Sequence, residues 1–247
     1  GVSARNNLEW RGKSPLPQPP SRPSWLLPAS DELSLCIAKL EDPLRKMGWK
    51  VLTSRPDVLS KLGNKANLRK FAAKIGMLPY LPEHYTDPKQ ASYPCVLKPS
   101  VGEFGKDTII ANSSMDVYTL TDSGFGSAWV LQEMVTGCYE YAVSLLVERG
   151  VIRDVIGTEY HYSEDVYVWP HVDELGRAPF EVPQAHISVM NVFLREYSGI
   201  CNFNYKIRKD GRISILEVNT RIGSDLACDV PRDRARELFE RLDIIPV

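Results

Sequence analysis

The stretch "ILEVNTRIG" places three polar side chains at alternate positions directly after the turn-forming sequence "RKDG". On a β-strand, residues two apart point to the same face, so Glu217, Asn219 and Arg221 are predicted to share one face. Leu216 and Val218 are predicted to point to the opposite face. The pattern predicts a strand with one face built to hold a charged group.

The residues before the turn supply a partner strand. The run "GICNFNYKIRKDGRISILEVN" is typical of a β-hairpin that turns at an Asp-Gly pair. Asn204 lies seven residues before Gly211 and Glu217 lies six after it, so the two are expected to be close across the hairpin. With Asn219 they offer one carboxylate and amide oxygens, which suits Mg²⁺ because this ion completes its shell with water and phosphates. A solvated strand face would hold the same residues, so the hairpin alone leaves both interpretations open.

A second cluster is "CVLKPSVGEFGK", in which Lys98 ends an apolar strand. Gly102 and Gly105 then open a loop whose backbone N–H groups could approach a phosphate, with Lys106 beside it. The spacing is not that of a Walker A loop. A plain β-hairpin turn is the more common meaning of such a sequence.

A third cluster is "WVLQEMVTGCYE", an apolar strand followed by a bend. Glu133, Met134 and Val135 could offer backbone hydrogen bonds and apolar walls to an adenine, which leaves Glu140 for ribose hydroxyls. Taken alone, the cluster is only a strand and a bend.

Taken in order, these clusters resemble the motifs of the ATP-grasp ligases from about Asn64 to Ser224. The resemblance implies an α+β fold, the ATP-grasp fold, in which two α+β subdomains sandwich the nucleotide. "NKANLRKFAAKIGM" is similar to the family's helix opening, where Lys65 would reach the nucleotide phosphates. "YPCVLKPSVGEFGK" resembles the following strand and flexible glycine loop, where Lys98 would touch the α-phosphate and adenine. The loop residues of this motif are Gly102, Gly105 and Lys106.

The remaining two motifs carry the rest of the implied site. "LQEMVTGCYEYAV" is similar to the hinge of the carbamoyl-phosphate-synthetase-like and D-Ala-D-Ala-ligase-like members. The resemblance implies adenine contacts from Glu133, Met134 and Val135 and a ribose contact from Glu140. "EVNTRI" resembles the biotin-carboxylase version of the metal hairpin. The implied metal ligands are Asn204, Glu217 and Asn219, and Arg221 would steady a carboxylate or acyl phosphate.

The resemblance implies an ATP-dependent carboxylate–amine ligase that works through an acyl phosphate and releases ADP and phosphate. Its cofactors would be ATP and Mg²⁺, with Mn²⁺ as a substitute, and Arg221 and Lys98 would be the catalytic residues. Its partners would be a small-molecule carboxylate and an amine, such as an amino acid, a peptide or a specialised metabolite. The chain departs from the family at Asn204, where many members carry Asp. A non-catalytic or regulatory nucleotide-binding module is therefore kept as an alternative, and the resemblance leaves monomer and homodimer open.

The organisation along the chain follows from proline content and motif order. Residues 1–29 are predicted to form a proline-rich arm or linker, and residues 30–63 the remnant of a short or truncated N-terminal α/β segment. Residues 64–247 would form the ATP-grasp domain. Within it, residues 93–140 would be the nucleotide-clamping subdomain and residues 141–247 the metal and acceptor subdomain.

Periodicity and capping signals predict individual elements. "SDELSLCIAKLEDPLRKMG" predicts one helix that starts at Ser30 or Asp31 and stops at Gly48, and "NKANLRKFAAKIG" predicts a helix from Asn64 to Gly76. Short strands are predicted at "WKVLT", "PCVLK", "DTIIA" and "AWVLQ", with a short helix at "SMDVYTL". A hairpin turning at Gly150, a helix in "QAHISVMNVFLREY" and a terminal amphipathic helix complete the set.

The segment "GTEYHYSEDVYVWPHVDELG" has no clean period. The resemblance places substrate-facing residues here, and a mobile surface loop is the alternative interpretation. A metal site on His161 and His171 lacks a third ligand at a supporting spacing. The candidate contact residues are Tyr160, His161, Tyr167, Trp169, Asp173 and Glu174.

Composition limits the function classes. The 247 residues carry 30 basic and 31 acidic side chains, so no overall field favours nucleic acid or an anionic membrane. No apolar run approaches the length of a membrane helix. The five cysteines form no C-x-x-C pair, which favours reduced thiols and a cytoplasmic setting. Because the chain begins with Gly1, we expect it to be part of a longer original product.

Overall fold

The computed structural model describes residues 9–100, 107–122, 124–126, 128–228 and 232–246. Within them, helices and strands alternate around two antiparallel sheets and one short parallel pair. The helices are α1 (Asp31–Lys39), α2 (Glu41–Lys46), α3 (Pro56–Gly63), α4 (Lys65–Lys74), α5 (Ser114–Leu120), α6 (Gln184–Phe193), α7 (Ser224–Ala227) and α8 (Asp233–Asp243). The strands are β1 (Ser24–Trp25), β2 (Trp49–Lys50), β3 (His84–Tyr85), β4 (Cys95–Pro99), β5 (Ile109–Ala111), β6 (Trp129–Glu133), β7 (Tyr139–Glu148), β8 (Val151–Tyr162), β9 (Glu174–Phe180), β10 (Gly199–Ile207) and β11 (Ile213–Asn219).

The N-terminal part differs from its prediction. Ser30 caps α1 by accepting a hydrogen bond from the Leu33 amide at 3.2 Å, but the single predicted helix is wrong. It breaks at Leu40, and Pro43 then lies in the first turn of α2, where its missing N–H leaves no hydrogen bond unmade. The predicted arm is also joined to the rest of the chain, because β1 pairs in parallel with β2.

Helix α4 begins and ends where the sequence predicts. The Asn64 side chain accepts a hydrogen bond from the Asn67 amide at 3.0 Å, which satisfies one of the unpaired N–H groups of the first turn. The chain leaves the helix through Gly76, whose φ is +74°. This left-handed conformation suits a residue without a Cβ. The cap fixes Lys65 at the first position of the helix.

The smaller sheet has the order β3-β6-β4-β5 and is antiparallel. Its three longer strands and α5 match predicted elements. Cys95, Leu97 and Leu131 form its core together with Val117 of α5. Lys98 directly follows the core residue Leu97 and therefore faces the opposite side of β4.

The larger sheet has the order β11-β10-β7-β8-β9, and it contains both predicted hairpins. Residues alternate between its two faces. Tyr141, Val143 and Leu145 of β7 pack in the main core, which also contains buried residues of α3, α4 and α6. Leu146 belongs instead to a second core that includes α7 and α8, and Ala142 belongs to a cluster of tyrosines. Every residue from Ala142 to Val147 is buried, since both faces are covered.

Strand β9 begins in the segment that was predicted to be a surface loop or a substrate-facing stretch, and it continues beyond that segment. It pairs with β8 at the edge of the larger sheet. Six of its seven residues are exposed, so no apolar alternation marks it, and it contains Pro179, which is tolerated only at a sheet edge. The loop interpretation is wrong for residues 174–176, the part of β9 that the segment contains.

The hairpin of β10 and β11 contains an irregularity that the alternation rule did not foresee. Asn204 pairs with Glu217, whereas Tyr205 pairs with Ile215, so Leu216 is an extra residue on β11. Val218 packs in the main core as predicted, whereas Leu216 is not part of that core. Both residues line a cavity.

Two helices on the C-terminal half match their predicted periodicity. Met190, Phe193 and Leu194 are buried at the end of α6, and Leu238 and Leu242 are buried on α8. In the part of the chain that the structure describes, no helix is long and apolar enough to span a membrane.

Two turn glycines provide a matched test of the fold. Gly150 and Gly211 have φ of +77° and +82°. A Cβ at Gly211 would meet nothing within 4 Å, whereas at Gly150 it would collide with the backbone of Arg195. We expect Gly211→Ala to lower the free energy of unfolding by about 1 kcal/mol, the cost of a left-handed residue. We expect Gly150→Ala to lower it by about 3 kcal/mol, because a steric clash is added. Urea unfolding of both variants checks this, and equal losses would contradict the placement of Gly150.

Candidate functional site

A cavity of about 530 Å³ lies between the smaller sheet and one face of the larger sheet. It brings together every predicted site residue that the structure describes. These are Lys65, Lys98, Glu133, Met134, Val135, Glu140, Asn204, Glu217, Asn219 and Arg221. Gly102, Gly105 and Lys106 lie outside the described residues.

Glu217 is the centre of the polar end of this cavity. Its Oε1 accepts hydrogen bonds from Asn204 Nδ2 at 2.9 Å and from Asn219 Nδ2 at 3.3 Å. Its Oε2 lies 3.8 Å from Lys65 Nζ. The predicted proximity of Asn204 and Glu217 is confirmed, because the two residues are directly paired across the hairpin.

Buried charges of opposite sign set the protonation of this end. Burial alone would raise the pKa of Glu217, but the charges of Lys65 and Lys98, with the two amide hydrogen bonds, bring it below its ordinary value. Burial and the neighbouring Lys65 lower the pKa of Lys98 to about 8. Glu217 is therefore ionised at neutral pH and is flanked by two cations.

The donor set at the hairpin fits a magnesium ion that is bound mainly through other ligands. Glu217, Asn204 and Asn219 provide only oxygen donors, which are the ligands Mg²⁺ prefers. Among the described residues, no three His, Cys, Asp or Glu side chains are grouped so that they could hold a metal ion. A single carboxylate fits Mg²⁺ when water and phosphate oxygens complete its shell, and it does not fit an all-protein metal cage.

Arg221 is held at the end of β11 by an N-terminal helix. Its Nε lies 3.9 Å from Asp31 Oδ2, and its Nη2 donates to Asn219 Oδ1 at 3.4 Å. Asp31 in turn accepts hydrogen bonds from the backbone N–H and the hydroxyl of Thr220, at 2.5 and 2.8 Å. These contacts orient the guanidinium toward the polar end of the cavity.

In the hinge after β6, the backbone lies near the cavity, while the carboxylate of Glu133 is paired with Arg208. Both oxygens of Glu133 accept hydrogen bonds from Arg208, at 2.5 and 2.7 Å, and one also accepts from the Glu83 amide. The Glu133 side chain is therefore committed to this ion pair. Met134 packs with Val96 and Val168 in an apolar cluster beside the hinge.

Glu140 lies deeper in the cavity between aromatic and basic side chains. Its carboxylate accepts a hydrogen bond from the Tyr167 hydroxyl at 3.4 Å. Burial raises the pKa of Glu140 to about 7, despite the opposing charges of Lys206 and Lys98. Lys206 donates to the Gly137 carbonyl at 2.7 Å and lies over the Tyr167 ring at 3.8 Å.

The far end of the cavity is formed by β8, β9 and the segment between them. Tyr160, Tyr167, Trp169 and Glu174 of the predicted substrate-facing stretch all line the cavity. His161 and Asp173 are not among the lining residues. The His161 ring stacks on Tyr139 instead, with centroids 4.7 Å apart.

Sequence reasoning missed several polar residues of the cavity, among them Asn202, Lys206, Asp31 and Arg177. Asn202 and Lys206 have the same two-residue spacing from Asn204 that identified Glu217 and Asn219, so the alternation in "NFNYKI" was a readable signal. Asp31 and Arg177 gave no signal, since their places depend on contacts between distant elements. Arg177 lies on the strand that has no apolar pattern.

The chain was compared with protein families, curated proteins and solved structures. No family model and no curated protein matches it. An L-amino acid ligase from Bacillus licheniformis has a similar structure, with a TM-score of 0.59 and 18% identity over 78% of this chain and 48% of that one. An N5-carboxyaminoimidazole ribonucleotide synthetase in complex with ADP gives a TM-score of 0.56 and 19% identity, over 76% of this chain and 52% of that one. The D-alanine–D-alanine ligase from Bacillus anthracis gives a TM-score of 0.53 and 16% identity, over 83% of this chain and 73% of that one. The chain thus spans about half the length of the first two proteins.

The buried carboxyl of Glu140 makes stability depend on pH. Its pKa is raised from 4.5 to about 7 in the folded protein, so the stabilisation it contributes is complete below pH 4.5 and is lost as the pH rises through 7. We expect Glu140→Gln, which carries no charge, to raise the free energy of unfolding by about 2 kcal/mol at pH 8.5 and to change it little at pH 5.

Urea unfolding at the two pH values measures this difference. Glu148→Gln on the same strand is the matched control, because Glu148 pairs with Arg153 and does not line the cavity. An effect of Glu140→Gln that is the same at both pH values would contradict the assigned protonation.

Proposed function

We propose, from the premise that this chain has the ATP-grasp fold, that its cavity binds ATP with Mg²⁺ and that the protein is an ATP-dependent carboxylate–amine ligase. Its substrates would be a small-molecule carboxylate and an amine. In this proposal residues 64–247 form the ATP-grasp domain, preceded by a short N-terminal segment.

One observation carries the proposal: three cationic side chains line the polar end of the cavity, which contains only two carboxylates among the described residues there, Glu217 and Asp31. Lys65, Lys98 and Arg221 surround the end that contains Glu217. Keeping Lys98 buried there is unfavourable, as its lowered pKa shows. An excess of buried positive charge is explained by a ligand that carries several negative charges, and a nucleoside triphosphate is such a ligand.

The nucleotide would lie with its base toward the hinge. The backbone of Met134 and Val135 would hydrogen-bond adenine, with Val96 and Val168 as apolar walls. Because the Glu133 carboxylate is paired with Arg208, only the backbone of Glu133 is assigned to adenine. Glu140 would accept hydrogen bonds from the ribose hydroxyls.

The chemistry proposed is carboxylate activation. A substrate carboxylate attacks the γ-phosphorus of ATP, the bond to the β–γ bridging oxygen breaks, and ADP leaves with that electron pair. The amine then attacks the acyl carbon of the acyl phosphate, loses a proton and releases phosphate. The protein side chains act by position and charge. Lys65 and Lys98 hold the phosphates, and Arg221 neutralises the acyl phosphate.

Magnesium, held by Glu217 with the amide oxygens of Asn204 and Asn219, would supply further charge neutralisation at the phosphates. Mn²⁺ would substitute for it. The amides of Asn204 and Asn219 fix the Glu217 carboxylate, while Asp31 fixes Arg221. No side-chain nucleophile is needed.

A second candidate function is a nucleotide-binding module that ligates nothing. The neutral Asn204 opposite Glu217 favours it, because it leaves the hairpin with one carboxylate. Both candidates bind ATP, so affinity alone does not separate them.

Phosphate release separates the two functions. We expect the protein to release phosphate from ATP and Mg²⁺ when a carboxylate and an amine are supplied from a panel of amino acids and dipeptides. Glu217→Gln is expected to reduce this release at least about 100-fold, because it removes the only charged metal ligand. ATP binding without release for any pair in the panel would contradict the ligase and favour the module.

Binding of a nonhydrolysable ATP analogue tests the metal hairpin without turnover. In EDTA, Glu217→Gln removes a negative charge near the triphosphate, so we expect the analogue to bind about fivefold more tightly. With Mg²⁺ we expect it to bind at least about tenfold more weakly than to the unaltered protein, since the ion loses its carboxylate.

Asp154→Asn is the matched control, because Asp154 pairs with Arg241 and does not line the cavity. It should change neither affinity. A Glu217→Gln effect of the same sign with and without Mg²⁺ would contradict the proposed role of Glu217.

A further inference from the structure

We propose that Tyr160, Glu174 and Arg177 form a subsite for the zwitterionic head group of an α-amino acid, with Arg177 binding the carboxylate and Glu174 the ammonium group. The inference rests on the proposed function and names the class of its second substrate.

The strand register places this subsite on the same face as Glu140. Tyr160 of β8 pairs with Glu140 of β7 on one side and with Arg177 of β9 on the other. Residues paired across neighbouring strands share a face, and strands lie about 4.8 Å apart, so Arg177 lies about 10 Å from Glu140 along the sheet. All three residues line the cavity. There is therefore room beside the proposed ribose position for a second small molecule.

Arg177 is held in one orientation by two neighbours. Its Nε and Nη2 donate to the two oxygens of Glu174 at 2.6 and 2.7 Å. Its guanidinium also lies over the Tyr160 ring, 4.9 Å from the centroid. This arrangement uses one edge of the guanidinium and leaves the side that carries Nη1 for a ligand carboxylate. The side chain is preorganised, so binding does not have to order it.

The paired charges explain why a zwitterion fits better than a simple ion. A ligand with only a carboxylate would be attracted by Arg177 but repelled by Glu174. A ligand with only an amine would be attracted by Glu174 but repelled by Arg177. An α-amino acid carries both charges two bonds apart, which matches the adjacent carboxylate and guanidinium of this pair. Each end of the ligand then lies beside a charge of opposite sign.

The surroundings distinguish this pair from an ordinary surface ion pair. Tyr160 and Tyr162 stack at 6.2 Å, and Tyr162 contacts Tyr167 at 4.7 Å between ring centroids, so aromatic rings form one wall. The side chains of Arg177 and Glu174 are 43% and 28% exposed, so the pair is partly open to solvent. On the side that faces the aromatic wall, charged hydrogen bonds are less screened than in open solvent.

The test measures binding to the unaltered protein saturated with a nonhydrolysable ATP analogue and Mg²⁺. Isothermal titration calorimetry is run with L-leucine, L-lysine and L-glutamate, and then with the amide and the N-acetyl derivative of the best binder. We expect at least one of the three amino acids to bind, and each derivative to bind at least about tenfold more weakly, because Arg177 or Glu174 then lies beside no ligand charge of opposite sign.

Two substitutions assign the two ends of the ligand. We expect Arg177→Gln to remove the preference for the amino acid over its amide, and Glu174→Gln to remove the preference over its N-acetyl derivative. Arg153→Gln is the matched control, since Arg153 forms a similar pair with Glu148 and does not line the cavity. It should change neither preference.

Affinity for the ATP analogue is measured for every variant and also reports on folding. If the analogue binds and none of the three amino acids does, the subsite is overturned while the nucleotide proposal stands. If Arg177→Gln weakens the analogue and leaves the amino acid preference intact, Arg177 binds phosphate and the subsite is overturned. If the unaltered protein does not bind the analogue, the proposed function fails, and this inference fails with it.

Discussion

The carboxylate of Glu217 is the charge on which the cavity depends. It is partly buried, and it stays ionised because Lys65 lies 3.8 Å away and two amides donate to the same oxygen. Lys65, Lys98 and Arg221 are tolerated close together because this charge and that of Asp31 lie among them. The hairpin of β10 and β11 therefore does more than add two strands to a sheet, since it sets the electrostatics of the whole polar end.

The two faces of the larger sheet have different roles, since one packs in the core and the other lines the cavity. One face of β7 contributes Tyr141, Val143 and Leu145 to the main core, where burial of apolar area stabilises the fold. The other face carries Glu140 and Ala142 into the cavity and Leu146 into the second core. A strand that is buried from Tyr141 to Val147 thus presents a continuous apolar side and a mixed side. Polar residues can line the mixed side because the apolar side already anchors the strand.

Much of the site could be predicted because local sequence patterns indicate it. The ATP-grasp fold predicted from the order of the motifs is confirmed, and the two-residue spacing on one hairpin correctly joined Glu217, Asn219 and Asn204. What could not be predicted depends on contacts across the fold. The extra residue Leu216 breaks the alternation of its strand, and Arg177 lies on an edge strand with almost no buried residue. Neither a bulge nor an exposed edge strand has an apolar period to reveal it.

The contact between Asp31 and Thr220 joins positions 189 residues apart. Asp31 belongs to the first helix, yet it fixes the end of the last strand of the larger sheet and, through it, Arg221. Chain synthesis proceeds from the N-terminus, so this helix is made well before its partner. The polar end of the cavity can therefore assemble only after Thr220 and Arg221 have emerged from the ribosome, because Asp31 contacts both of them.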